Sequence, residues 1–157
     1  MTPSGEKRAI QALKDAGVEH TIVRHGPVNS LAEAAAARGL DAAQVIKTLV
    51  VRRGEDDYLF VLVPGDRQIS WPKLRALLGV SRLSMPDANT ARAVTGYARG
   101  TITPFGSLHA WPVIVDTNVT DTVSIGAGAH GVSATLAAGD LVRTLTATVA
   151  DVTEARP

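Results

Sequence analysis

Val45-Ile46-Lys47-Thr48-Leu49-Val50-Val51-Arg52-Arg53, then Gly54-Glu55-Asp56-Asp57, then Tyr58-Leu59-Phe60-Val61-Leu62-Val63-Pro64 is the stretch that decides the fold. Two runs of β-branched, aliphatic and aromatic residues flank a four-residue polar loop, the pattern of a β-hairpin. Side chains alternate along a strand. Lys47 therefore shares a face with Val45, Leu49 and Val51, and the opposite face carries Ile46, Thr48, Val50 and Arg52. Both faces are largely apolar, so both need cover from other elements.

That cover is legible on either side of the hairpin. Ser4 to Ala16 has Ile10 and Leu13 at helical spacing and ends at Gly17, and Val18 to Arg24 reads as a short strand. Ser30 stands three residues before Glu33, a capping box that opens an alanine-rich helix over Leu31 to Arg38, with Gly39 as its stop. A helix from about Pro72 to Leu78 is opened by Ser70 and closed by Gly79. Another follows Pro86, expected in its first turn, and ends near Gly96. After Thr101 the texture turns to glycine, threonine and valine. Short strands are expected at Val113–Asp116, Val123–Ile125 and Ser133–Leu136, then a helical turn at Gly139–Leu145 and a last strand to Val152. The reading is one α+β domain over residues 1–157, built on a mixed sheet.

The composition narrows the function. The 157 residues are 45% apolar and 20% charged, enough for a real core, with about 70% of the unfolded surface buried at this size. With no cysteine, a thiol nucleophile, a disulfide scaffold and Cys-ligated metals are excluded. The four histidines, His20, His25, His109 and His130, form no metal-ligand spacing, so no metal and no cofactor is expected. There is no apolar run of transmembrane length and no signal-peptide core in Met1 to Lys14, which points to a cytoplasmic protein without a membrane partner. The 16 Lys+Arg against 15 Asp+Glu give a net charge of +1, and only 4% of residues are aromatic, so neither a basic DNA-binding arm nor a single-strand stacking platform is expected. The charge is unevenly spread, however. Residues 1–115 hold 14 basic and 10 acidic side chains (+4) and residues 116–157 hold 2 and 5 (−3).

Two features can carry chemistry. An ammonium in a strand with two apolar faces is costly unless it meets an anion or a cavity, or snorkels out at the strand's wet end; Lys47 is in that position. The segment Gly96-Tyr97-Ala98-Arg99-Gly100-Thr101-Ile102-Thr103-Pro104-Phe105-Gly106 has glycines at both ends and a proline inside. It is either an ordinary connection needing special backbone angles or a loop that brings amides close to a ligand. Gly126, Gly128 and Gly131 match GxGxxG. The strand-like Val132-Ser133-Ala134-Thr135-Leu136 that follows rules out a dinucleotide fingerprint, which needs a helix there. A second glycine loop facing a shared cavity stays open, and His25 and His130 are placed to approach it or to be plain turn histidines.

In order and spacing, Val45–Val51 followed by the Gly96–Gly106 loop resembles the YbaK/prolyl-tRNA-editing-domain family, which deacylates mischarged aminoacyl-tRNA. The resemblance extends to the His25 turn, Leu62-Val63-Pro64-Gly65-Asp66, the helix around Lys73–Leu78, Gly126-Ala127-Gly128 and Asp140-Leu141. It implies a strongly curved, barrel-like mixed sheet with flanking helices and a small pocket. Lys47 matches the family's hallmark lysine, and Gly100 joins it as a catalytic position. Gly96, Thr103, Pro104, Gly106, Gly126, Gly128, His130 and His25 are the implied substrate-binding residues. Members specific for cysteinyl-tRNA often read Gly-Gly-Ile-Ser-Pro where this chain has Gly100-Thr101-Ile102-Thr103-Pro104, which weakens a transfer of cysteine specificity. The implied activity is trans-editing, with a small amino acid such as alanine on tRNA(Pro) as substrate. The implied partners are the tRNA acceptor end and an aminoacyl-tRNA synthetase. The alternative is a non-catalytic binding module that keeps an aminoacyl-adenosine pocket.

Overall fold

The computed structural model describes residues 4–26 and 30–157. The expected hairpin is its centre. Strands β2 (Ile46–Gly54) and β3 (Asp57–Pro64) pair antiparallel, Lys47 opposite Val63 and Val50 opposite Phe60. Strand β5 (Val113–Asp116) adds parallel to β3, and β8 (Thr148–Ala150) parallel to β5, giving a mixed sheet in the order β2-β3-β5-β8. Both faces of the hairpin are covered, as its pattern requires. Ile46, Val50, Phe60 and Leu62 belong to one core, and Val51, Leu59, Val61 and Val63 to another.

The first core is closed by a second sheet in which β7 (Val132–Ala137) lies between β1 (Thr21–Arg24) and β6 (Thr122–Gly126). Leu13 of α1 (Gly5–Asp15), Ala91 of α4 (Ala88–Thr95) and Leu141 of α5 (Ala138–Leu145) complete it. The second core is capped by Leu74 of α3 (Trp71–Leu78) and by Ile69 of β4 (Arg67–Ile69), which pairs with β9 (Thr153–Ala155). The described strands form three sheets and do not close into a barrel. An isolated bridge between Val45 and Ser124 joins the two larger ones. No helix among the described residues is long and apolar enough to cross a membrane.

The capping signals act as read. Ser30 Oγ accepts from the Glu33 amide at 3.1 Å at the head of α2 (Leu31–Arg38), and Gly39 ends that helix in the left-handed region. Ser70 and Gly79 bound α3 in the same way. Several boundaries differ from expectation, among them the hairpin loop: Gly54 pairs with Asp57, which leaves Glu55-Asp56 as a two-residue turn in place of the expected four-residue loop. The Asp87 carboxylate accepts from the Thr90 amide at 2.7 Å and is the N-cap of α4, so Pro86 stands outside the helix and not in its first turn. Strand β1 begins at Thr21 and not at Val18, whose carbonyl is engaged by His20 Nδ1 at 2.8 Å. The turn at Gly139–Leu145 is a full helix from Ala138. The last strand, expected to run to Val152, stops at Ala150 as β8, and β9 follows as a further strand; Val152, between them, gives its amide to Asp116 Oδ1 and its carbonyl to the Ser70 amide.

Candidate active site

A crevice of about 710 Å³ opens along β2, walled by Val45 to Val50, by the Met85–Ala88 segment entering α4, by Arg99, Gly100 and Ile102, and by Gly126 at the end of β6. Arg38, in the last turn of α2, also lines it. Its charged lining is Arg38, Lys47 and Arg99 against the single carboxylate of Asp87. Hydrogen bonds from Thr90 hold that carboxyl below its usual range, so it stays ionised in its capping role.

Lys47 lies on the β4 side of β2, and its Nζ donates to the Arg67 carbonyl at 2.8 Å. Burial, and then repulsion from Arg156, push its pKa below the ordinary lysine value, while Asp66 opposes them. The ammonium is half-buried and keeps donors to spare, since it carries three N–H groups.

The Gly96–Gly106 loop is shaped from behind by α1. Arg8 Nη2 donates to the Gly96 carbonyl at 2.8 Å and Nε to the Gly106 carbonyl at 3.4 Å, and its guanidinium lies 4.8 Å from the centre of the Tyr97 ring. Tyr97 is buried and donates to the Phe105 carbonyl at 2.7 Å. Gly106 has φ +76°, and a Cβ there would stand 2.6 Å from the Arg8 carbonyl oxygen, so only glycine closes the loop. We predict that Arg8→Ala loosens both ends of the loop. Because charge-assisted hydrogen bonds contribute about 1.5–3 kcal/mol each, thermal melting should fall by several degrees.

The sequence-derived candidates divide into groups. Lys47, Gly100 and Gly126 line one crevice. His130 stands beside them: a Cβ built at Gly100, where φ is +84°, would lie 3.4 Å from its Cε1. Gly96 and Gly106 are the clamped ends of the loop. Thr103 is buried, its Oγ1 accepting from the Phe105 amide at 3.2 Å, and Pro104 lines a separate cavity with Trp111 and Thr146. Gly128, with φ +84°, donates its amide to the Thr101 carbonyl at 3.0 Å and so ties the two glycine loops together. His25 does not line the crevice; its amide donates to the Gly131 carbonyl, and Pro27 of the same turn lies outside the described residues. Among the described residues no group of three or more potential metal ligands comes together. Arg38 was not singled out by sequence, because its place in the crevice depends on where α2 docks.

The family model for the aminoacyl-tRNA editing domain matches residues 25–144. The chain belongs to the aminoacyl-tRNA editing domain family. It is 30% identical over 128 residues to a proline–tRNA ligase of Pelotomaculum thermopropionicum, covering 82% of this chain and 21% of the ligase. It thus spans about a fifth of that relative's length. It is 25% identical over 115 residues to an Enterococcus faecalis protein described as "Putative Cys-tRNA(Pro)/Cys-tRNA(Cys) deacylase EbsC", covering 72% of this chain and 68% of that one. Among solved structures, one described as a "putative trans-editing enzyme for prolyl tRNA synthetase" superposes with a TM-score of 0.86 at 24% identity, over 98% of this chain and 99% of that one, which shows the α+β editing-domain fold. Family members are aminoacyl-tRNA deacylases.

Proposed function

We propose that this editing domain hydrolyses mischarged aminoacyl-tRNA in trans, removing a small amino acid such as alanine from tRNA(Pro). The observation that carries this reading is the convergence of Lys47, Gly100 and Gly126 on one crevice, whose volume suits an aminoacyl-nucleoside. An aminoacyl ester is already activated, so no protein nucleophile is needed. A water, oriented by the adjacent ribose hydroxyl, attacks the carbonyl carbon; the ester C–O bond breaks, the water's proton passes to the departing ribose oxygen, and the amino acid leaves with a free carboxylate. Holding the attacking oxygen and the ester in one geometry supplies several kcal/mol of the barrier. Backbone amides of the glycine loop, centred on Gly100, stabilise the developing oxyanion, a donor of this kind being worth about 3 kcal/mol. Lys47 positions the substrate and contributes positive charge.

A second cleft supports RNA as the substrate's carrier. Arg52, Arg53, Arg75 and Arg82 line about 460 Å³ beside the hairpin end. It adjoins the crevice through Ser84, whose backbone pairs with Arg52, and Met85, which lines the crevice. Arg53 is held by Asp57, whereas Arg75 and Arg82 have no carboxylate partner among the described residues. Such a cleft suits a few phosphate contacts, with binding that weakens as salt rises. A synthetase supplying the tRNA is the partner this reading implies.

A panel of aminoacyl-tRNAs incubated with the protein tests the reading. Alanine should be released from tRNA(Pro) and proline retained. Tight tRNA binding without release of any amino acid would instead favour the non-catalytic module.

A further inference from the structure

Of the two crevice cations that the reading above leaves without a task, Arg99 is exposed and Arg38 is not. It stands in the last turn of α2, half-buried, and its guanidinium crosses to β7. There Nε donates to Ser133 Oγ at 3.2 Å, while Nη1 turns back to the Ala34 carbonyl at 2.8 Å. Ser133 is the cross-strand neighbour of Gly126, which lines the same crevice. Two of the five guanidinium N–H donors are thus engaged, both by neutral oxygens. Among the described residues no carboxylate pairs with Arg38, and burial alone moves its pKa, downward. The site is costly for a cation and does not repay it from within the protein, although the fold fixes the guanidinium at two points. A charge held in this way, against a crevice wall with donors unspent, is matched by an anion with several acceptor oxygens.

We propose that Arg38 binds the phosphate on the 5′ side of the terminal nucleoside of the substrate RNA, seating that nucleoside so that its aminoacyl ester meets the Gly100 loop. The inference deepens the deacylase reading and rests on it for the identity of the substrate. Phosphate fits better than the aminoacyl moiety because alanine esterified to RNA carries no anionic group. A guanidinium also presents a planar fork suited to a phosphate's oxygens.

The proposal separates Arg38 from a purely structural arginine through a pair of ligands that differ only in the phosphate. Adenosine 5′-monophosphate and adenosine are titrated into the full chain and into Arg38→Gln and Arg38→Lys, with thermal melting recorded for each. The wild-type protein should bind the monophosphate at least tenfold more tightly than adenosine at low salt. Arg38→Gln should reduce that ratio to about one while leaving adenosine affinity unchanged, and Arg38→Lys should keep part of it. A ratio unchanged in Arg38→Gln, equal loss of both ligands, or no preference for the monophosphate in the wild type would each overturn the assignment. Because the readout is binding, it is independent of turnover. An Arg38-dependent phosphate preference in a protein that releases no amino acid would sustain this inference and overturn the deacylase reading.

Discussion

Lys47→Ala is expected to lower deacylation by about 10²–10³-fold, the range seen when one preorganised electrostatic contact to a transition state is removed, and to leave a folded protein. The two halves of this expectation have separate causes. The activity loss follows from the role proposed for Lys47, which lines the crevice and whose ammonium is half-dry and therefore more effective than the same charge in water. The retained fold follows from the direction of its pKa. A lysine whose folded pKa lies below its unfolded value destabilises the native state while charged, and at neutral pH folding works against that cost. Removing the charge relieves it at the expense of one hydrogen bond to the Arg67 carbonyl, two effects of opposite sign. The apolar, length-matched Lys47→Met should therefore melt within a few degrees of wild type and be as inactive as Lys47→Ala. A large loss of stability in Lys47→Met, with activity preserved in whatever remains folded, would identify Lys47 as a structural residue. Lys47→Arg is expected to rescue little, since a planar fork does not replace a compact ammonium at such a site.

The largest effect on stability belongs to Asp116, at the end of β5. Its side chain is fully buried, with 0% exposure. Burial pushes its carboxyl pKa up. The amides of Asn118 and Val152 and the side chains of Asn118 and Thr153 overcome that and hold it below the usual aspartate range. Oδ2 accepts from the Asn118 amide and from Asn118 Nδ2 at 2.9 Å each, and Oδ1 from the Val152 amide at 3.1 Å. One carboxylate thus satisfies the turn after β5 and the break between β8 and β9. Asp116→Ala leaves these donors without an acceptor, and the Val152 amide is itself fully buried. At about 1–3 kcal/mol for each buried group left unpaired, the loss should reach about 3–5 kcal/mol. The pH dependence has a definite sign. With the folded pKa below the unfolded value of about 3.9, the unfolded state binds more protons between the two. The contribution is complete above about pH 4 and is lost as pH falls through the folded pKa. Wild-type stability, measured by urea unfolding, should decline more steeply below pH 4 than that of Asp116→Asn; parallel declines would show that the carboxylate is not the group responsible.

Local chemistry was legible wherever a few consecutive residues determine it. The hairpin from Val45 to Pro64, the Ser30–Glu33 cap, the Ser70 and Gly79 boundaries and the absence of a helix after Gly131 are all of this kind. The β4–β9 pair was not, because two three-residue strands, Arg67–Ile69 and Thr153–Ala155, lie far apart in sequence and neither carries a strand pattern alone. Asp87 shows the same limit at short range: Pro86 is a sound first-turn residue, but an aspartate beside it caps more strongly. In the site, Lys47 and Gly100 could be found because a cation among apolar residues and a loop rich in glycine are anomalies within their own segments. Arg8 and Arg38 could not. Each looks like an ordinary solvated helix arginine until α1 docks on the Gly96–Gly106 loop and α2 docks against β7. The family resemblance supplied the order of the motifs, while near-barrel closure was an expectation that the three separate sheets do not meet.

The rate of alanine release from alanyl-tRNA(Pro), measured beside prolyl-tRNA(Pro) with wild type and Lys47→Ala in parallel, tests the central claim most directly. The account predicts release well above the spontaneous rate for the alanyl ester, protection of the prolyl ester, and near-complete loss in Lys47→Ala. Spontaneous rates for every aminoacyl-tRNA, or release undiminished by Lys47→Ala, would contradict it.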